Sequence, residues 1–312
     1  MSSATYPRLP SKLILTSTKA YFSPSRTVKY LTSILDQHNG ILPLLEAHRS
    51  EIQFGLIPDF LTIYPCAQIL AAKYPAPPSD PNPALQGSRT TSLSNDINPS
   101  SWPIYLGAQT AYASSTYGAF TGEIVPPALK ELGCSIVELN HAERRRLLGE
   151  TDESSAARAA AVCALGMIPL VCIGELERPN LQGPMSLAVG VAVGQLKTQI
   201  ETLLKAVPKD APVIFAYEPV WAIGAAQPAG VDYVGPVVEA IREVARTAVR
   251  DRSGEVKVVY GGSAGPGLWS GKTNGANGLG KWVDGLFLGR FAHEISGIKG
   301  VVEEVADSLG KS

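Results

Sequence analysis

Three ionisable side chains stand just beyond apolar runs of the chain. Lys19 follows LILTST, His141 follows IVELN, and Glu218 follows VIFAY. Taken singly, each is ordinary: a lysine after a strand is usually just solvated, and a lone histidine is usually a satisfied structural one. A cation, a proton donor and a carboxylate aimed at one cavity would suit proton transfer next to a carbonyl. Two glycine-bearing turns suggest a second chemistry. YGGS (260–263) and FLGR (287–290) also follow apolar runs. Glycine lets backbone N–H groups approach an anion closely, and a helix start adds a favourable dipole. Without further context, YGGS is equally a tight turn.

The elements must bring these groups together. Short apolar, β-branched runs at 13–16, 52–57, 104–109, 136–139, 170–173, 213–217, 256–260 and 286–288 read as strands buried on both faces. Helical patterns lie between them at 28–37, 155–165, 186–206 and 234–249, and another closes the chain at 298–309. Asn39-Gly40 and Gly166 are good stop signals for the first two. Strand–helix alternation repeated this often gives an open doubly wound sheet or a closed (β/α)8 barrel of typically about 250 residues. Eight units favour the barrel. There, residues just past the strands converge on the C-terminal mouth, and the last two strands commonly hold phosphate. We expect one barrel domain over residues 1–312, with a Pro/Ser-rich insertion at about 74–102 before the third strand. That insertion should be a tolerated surface loop at the face opposite the mouth. A second long, Gly-rich stretch, 263–280, follows strand seven on the mouth side.

Composition narrows the partners. The 312 residues are 45% hydrophobic and 18% charged, as expected of a core-forming protein. A net charge of −1 without a dense basic run argues against nucleic acid. No apolar run approaches the length of a membrane span. The opening residues show no secretory cleavage pattern, so the cytoplasm is the expected compartment. Cys66, Cys134, Cys163 and Cys172 lack CxxC spacing and sit in apolar surroundings, so they read as reduced, buried thiols. No metal-ligand spacing and no cofactor motif stands out. In particular, no GxGxxG follows the first strand, which argues against a dinucleotide-dependent oxidoreductase.

Several segments together carry a resemblance. AYEPVWAIG (216–224) resembles the base-and-lid motif of the triosephosphate isomerase family, and NHAERRRLLGE (140–150) its histidine motif. GAFTGEI (118–124) is similar to its dimer loop, CIGE (172–175) to its fifth strand, and VVYGGS (258–263) with VDGLFLG (283–289) to its phosphate loops. The similarity runs in family order from about residue 107 to the C-terminus; before it, only Lys19 and the general spacing match.

The resemblance implies roles. Glu218 would move a proton between adjacent carbons, His141 would polarise the carbonyl as a neutral electrophile, and Lys19 would hold the substrate electrostatically. Glu143 would support the site from behind. Gly224, Ser263 and Gly289 would bind phosphate through backbone N–H groups. Thr121 would contact a partner subunit, making the protein a homodimer. The physics fits: a histidine facing the start of a helical turn, here Ala142-Glu143-Arg144-Arg145, is disfavoured as a cation. No metal or organic cofactor is required. The implied reaction interconverts dihydroxyacetone phosphate and glyceraldehyde 3-phosphate, as in glycolysis and gluconeogenesis.

This sequence also departs from the family pattern. Asn-Trp-Lys becomes Ser17-Thr18-Lys19, so a substrate-binding amide becomes a hydroxyl. Gly-His-Ser becomes Asn140-His141-Ala142, and the second glycine of the last phosphate pair becomes Arg290, a further cation for the phosphate or for a surface ion pair. The lid ends Ala225-Ala226-Gln227-Pro228, where Pro228 should restrict the second hinge. AIGAAQPA resembles the lid of superfamily members that act on four-carbon ketose phosphates. An isomerase of erythrulose phosphate is therefore the alternative. A non-catalytic paralogue is the third reading, and retention of all three reactive groups argues against it.

Overall fold

The computed structural model describes residues 4–75, 97–224, 229–272 and 278–310. Among the described residues, seven of the eight strands are each followed by an α-helix. Lys12–Ser17 (β1) leads to Pro24–Ile34 (α1) and Ile41–Ala47 (α2), and Ile52–Ile57 (β2) to Phe60–Lys73 (α3). Ile104–Ala108 (β3) leads to Pro126–Glu131 (α4), and Cys134–Leu139 (β4) to Ala142–Leu148 (α5) and Asp152–Ala164 (α6). Ile168–Ile173 (β5) precedes Met185–Ala206 (α7), Val213–Tyr217 (β6) precedes Val231–Ala248 (α8), and Val256–Tyr260 (β7) is followed by Gly285–Leu288 (β8) and Ile295–Leu309 (α9). Neighbouring strands pair in parallel all the way round. Pairing of β8 with β1, Leu13 opposite Gly285 and Thr16 opposite Leu288, closes the (β/α)8 barrel.

Alternation sorts each strand's side chains between two cores. Leu13, Leu15, Ile136, Leu170, Cys172, Ile214, Ala216, Val259 and Phe287 fill the barrel interior. Their neighbours face outward against the helices in one larger cluster that includes Ile14, Val137, Val171 and Phe215. Strands covered on both sides in this way read as unbroken apolar runs, which is why they are visible in the sequence. All four cysteines are buried and unpaired. Among the described residues, no helix is long and apolar enough to cross a membrane.

The expected boundaries shift in a few places. The first helix begins at Pro24, because Ser23 caps it by accepting from the Arg26 N–H and Pro24 suits the first turn. It stops at Ile34, not 37, and Gly40, at φ 77°, closes a separate 3-10 turn, Gln37–Asn39. β4 and β5 each start two residues earlier than the apolar runs suggested. Most of the 74–102 insertion lies outside the described residues. Its two ends meet where the Ser101 hydroxyl donates to the Tyr74 carbonyl at 3.0 Å, so the insertion leaves and re-enters the barrel at one place.

Candidate active site

The site begins with the end of β1. Lys19 sits just beyond it in the left-handed region at φ 46°, a conformation that costs a lysine energy unless its surroundings impose it. Here they do: the Gln109 side chain donates to the Lys19 carbonyl at 3.0 Å, and the Lys19 N–H donates to Ser17 Oγ at 3.4 Å. The result aims Nζ at Glu143 Oε1, 2.9 Å away. Burial by itself would lower the Lys19 pKa. The Glu143 hydrogen bond and the nearby carboxylates outweigh it and leave the pKa raised, so the site holds a fixed cation.

His141 caps the N-terminus of α5. Its Nδ1 accepts the backbone N–H of Glu143 at 3.1 Å, which places the proton of the neutral ring on Nε2. Burial, reinforced by the Lys19 cation, pushes the His141 pKa down. Nε2 lies 3.5 Å from Glu218 Oε2, a contact of a neutral imidazole and not an ion pair. Triosephosphate isomerase is itself the standard example of a histidine kept neutral in this manner.

The segment before the histidine is built from unusual parts. Asn140 occupies φ 62°, which asparagine tolerates better than most residues with a Cβ. Its buried amide donates to the Cys172 carbonyl at 2.8 Å and accepts from Arg145 and Ser155, each at 2.8 Å. The residue standing where the family has glycine therefore does more than permit a turn: it ties β4 to β5, α5 and α6 beneath the histidine.

Glu218 follows β6, and its N–H donates to the Ile173 carbonyl at 2.8 Å. Burial pushes its carboxyl up to about 8, against the opposing pull of Lys19. Close backbone approach leaves Glu218 little freedom. A Cβ on Gly174 would lie 1.8 Å from the Glu218 carbonyl oxygen, and one on Gly261 only 2.4 Å from Glu218 Cγ. The lid leaves through a 3-10 turn, Val220–Ala222. Glu175, fully buried, accepts from Trp221 Nε1 and from the Tyr233 hydroxyl, both at 2.7 Å, and so anchors this turn. The second half of the lid, 225–228 with Pro228, lies outside the described residues.

One cavity of 660 Å³ is lined by Ser17, Lys19, His141, Glu143, Glu218, Gly224, Ser263, Gly289 and Arg290. All the expected site residues but Thr121 thus face a single space. Thr121 is exposed on the loop between β3 and α4 and does not reach the cavity of its own subunit. Arg290 is exposed, lines the cavity, and is not among the described residues with positive φ. Tyr21, Phe291 and His293 also line the cavity and were not anticipated. His293 Nε2 lies 3.2 Å from the Ser17 carbonyl, and its ring packs 5.5 Å from that of Tyr21. Their signal was position, just past the ends of β8 and β1. Among the described residues, no group of three or more His, Cys, Asp or Glu could hold a metal ion.

Such an arrangement can remove a proton, polarise an oxygen and cradle an anion within one cavity. Comparison with known proteins points the same way. The triosephosphate isomerase family model matches residues 91–305. An L-erythrulose-1-phosphate isomerase of Pectobacterium atrosepticum is 40% identical over 205 residues, covering 65% of this chain and 72% of that protein. One from Mesorhizobium japonicum is 41% identical, covering 64% of this chain and 73% of its own length. A triosephosphate isomerase of Rhodopirellula baltica is 34% identical over 64% of this chain and 75% of its own. With the barrel, the order of its motifs and a family match across more than half of its length, the chain belongs to the triosephosphate isomerase family and is an isomerase.

Proposed function

We propose that this isomerase acts on a four-carbon ketose phosphate, moving the carbonyl of L-erythrulose 1-phosphate between C2 and C3. The meeting of Glu218, His141 and Lys19 in one cavity that glycine-rich backbone also lines supports the reaction. The relatives named L-erythrulose-1-phosphate isomerase favour this substrate over a triose phosphate. C1 bears the phosphate and C2 the carbonyl, so the proton to be moved is on C3. Glu218 takes it, His141 Nε2–H gives a proton to O2 and takes the O3 proton in return, Lys19 stabilises the negative charge on these oxygens, and Glu218 returns its proton to C2. The carbonyl is then at C3, which is a tetrulose 4-phosphate numbered from its other end. Backbone N–H groups at Gly224, Ser263 and Gly289, with the Arg290 cation, hold the phosphate. Lid closure keeps water from the intermediate.

Triose phosphate interconversion is the second reading, favoured by the Rhodopirellula baltica relative. A coupled assay decides between them. We expect kcat/KM for L-erythrulose 1-phosphate to exceed that for dihydroxyacetone phosphate by more than about 100-fold, roughly 2.7 kcal/mol. A preference for the triose would reverse the assignment, and no turnover of either would leave a non-catalytic paralogue. We further read the protein as a cytoplasmic homodimer acting in four-carbon sugar-phosphate metabolism. Supporting the dimer, a 340 Å³ groove lined by Phe60, Gln109, Tyr112 and Arg158 lies beside the exposed loop that carries Thr121.

A further inference from the structure

Inside the barrel, β4 carries a carboxyl that the reaction above does not use. Glu138 is two residues beyond Ile136, so alternation turns it toward the axis, and it is 3% exposed. It interacts with Ser17, Lys19 and Glu143, and it is felt by Glu218. The Lys19 N–H donates to Ser17 Oγ at 3.4 Å, which leaves the Ser17 hydroxyl proton able to turn toward Glu138, whose carboxyl it holds down against burial. Glu138 Oε2 is buried and has no partner. A buried carboxyl oxygen without a donor is costly, and packing alone gives no reason to keep one under an active site. Ser17 lines the cavity and Glu138 does not.

We propose that Ser17 and Glu138 form a polar floor that selects a hydroxyl on the substrate carbon farthest from the phosphate. Ser17 meets that hydroxyl, and Glu138 positions Ser17 and supplies the final acceptor. The inference rests on the four-carbon reading. With phosphate at the β6, β7 and β8 loops and C2 and C3 between Glu218 and His141, C4 extends toward the β1 and β4 side. A triose phosphate has no hydroxymethyl group there and leaves Ser17 without that partner, which is how a polar site rejects a substrate lacking a hydroxyl. Burial pushes the Glu138 carboxyl up to about 7, so near neutral pH the floor need not add a second full negative charge beside Glu218.

Two unreactive probes test the floor apart from the chemistry: an erythritol phosphate with four carbons, and glycerol 3-phosphate with three. Their dissociation constants are measured by calorimetry on the wild type, Glu138→Val, Glu138→Gln and Ser17→Ala. Loss of a hydrogen bond to the extra hydroxyl should cut the four-carbon over three-carbon preference about 10-fold or more in Glu138→Val and Ser17→Ala. Glu138→Gln, which keeps an acceptor, should hold the preference within about 3-fold of wild type. An unchanged preference in both Glu138→Val and Ser17→Ala overturns the floor, even if wild type turns over L-erythrulose 1-phosphate. Failure of wild type to turn over that substrate instead sinks the four-carbon reading, and does so before any variant is made. Should Glu138→Val not fold, Ser17→Ala and Glu138→Gln decide the question between them.

Discussion

At the residue scale, the main tension is at Glu218. The base proposed here must be ionised to work, yet burial pushes the Glu218 carboxyl up to about 8. In the free enzyme kcat/KM should therefore rise with pH through a limb near 8, and His141, whose pKa is pushed down, should add no limb near its ordinary value. A single limb near 4.5 would show that the base is not the buried carboxyl. Glu218→Gln should lower kcat by about 10²–10⁴-fold, the usual contribution of a general base. The reactive residues were legible because they stand past the ends of apolar runs, where a charge has no packing role. Glu138 was not legible. Within CSIVEL a single carboxyl reads as part of a strand, and only closure of the barrel shows which face it turns inward. Asn140 was noted as a departure from glycine, but its grip on Cys172, Arg145 and Ser155 joins positions that are distant in sequence or hidden by the fold.

At the scale of elements, what matters is how tightly the strand ends meet. The β7 turn passes so close to the base that Gly261 has room for no side chain, since its Cβ would fall 2.5 Å from Glu218 Oε1. Gly261→Ala should displace the carboxylate and leave the barrel intact. Misplacing a catalytic group by about 1 Å can cost on the order of 10²-fold, so we expect a fall of that size in kcat with an unchanged far-ultraviolet circular dichroism spectrum. Near-wild-type turnover would mean that Glu218 shifts freely and that its position is not set by this contact. The eight strands and most of the long helices could be read from apolar runs and periodicity. α2, α3 and α4 were harder. α2 and α4 are short, and α3 contains Pro65 and a largely apolar composition that blurs its face.

At the scale of the whole molecule, two properties extend beyond the single cavity. α3 leaves Phe60 59%, Leu61 65% and Tyr64 41% exposed, beside a loop where Tyr117 is 58% exposed. Apolar side chains gathered in this way suit burial against a second copy. The wild type should elute as a dimer in size-exclusion chromatography with light scattering, and Leu61→Asp should shift it toward monomer. A monomeric wild type at micromolar concentration would end the dimer reading. The second property is stability against pH. Glu218 and Glu138 are raised to about 8 and about 7, so the folded state binds more protons than the unfolded one from about 4.3 upward. Their contribution is present at low pH and is lost as pH rises through the folded values. His141 and His293 are lowered, so they weaken the fold only as pH falls below about 6.5. Between pH 6.5 and 8 the loss from the two raised carboxyls outweighs the small gain as the unfolded histidines lose their protons, and the ligand-free protein should become less stable. Glu218→Gln and Glu138→Gln should each shrink the drop in Tm across that interval by about 2–4 °C per kcal/mol recovered. Thermal melts at the two pH values would reject this account if both variants kept the wild-type difference. If it holds, burying the proposed base leaves the fold without this contribution at every pH above the value at which the carboxyl becomes ionised.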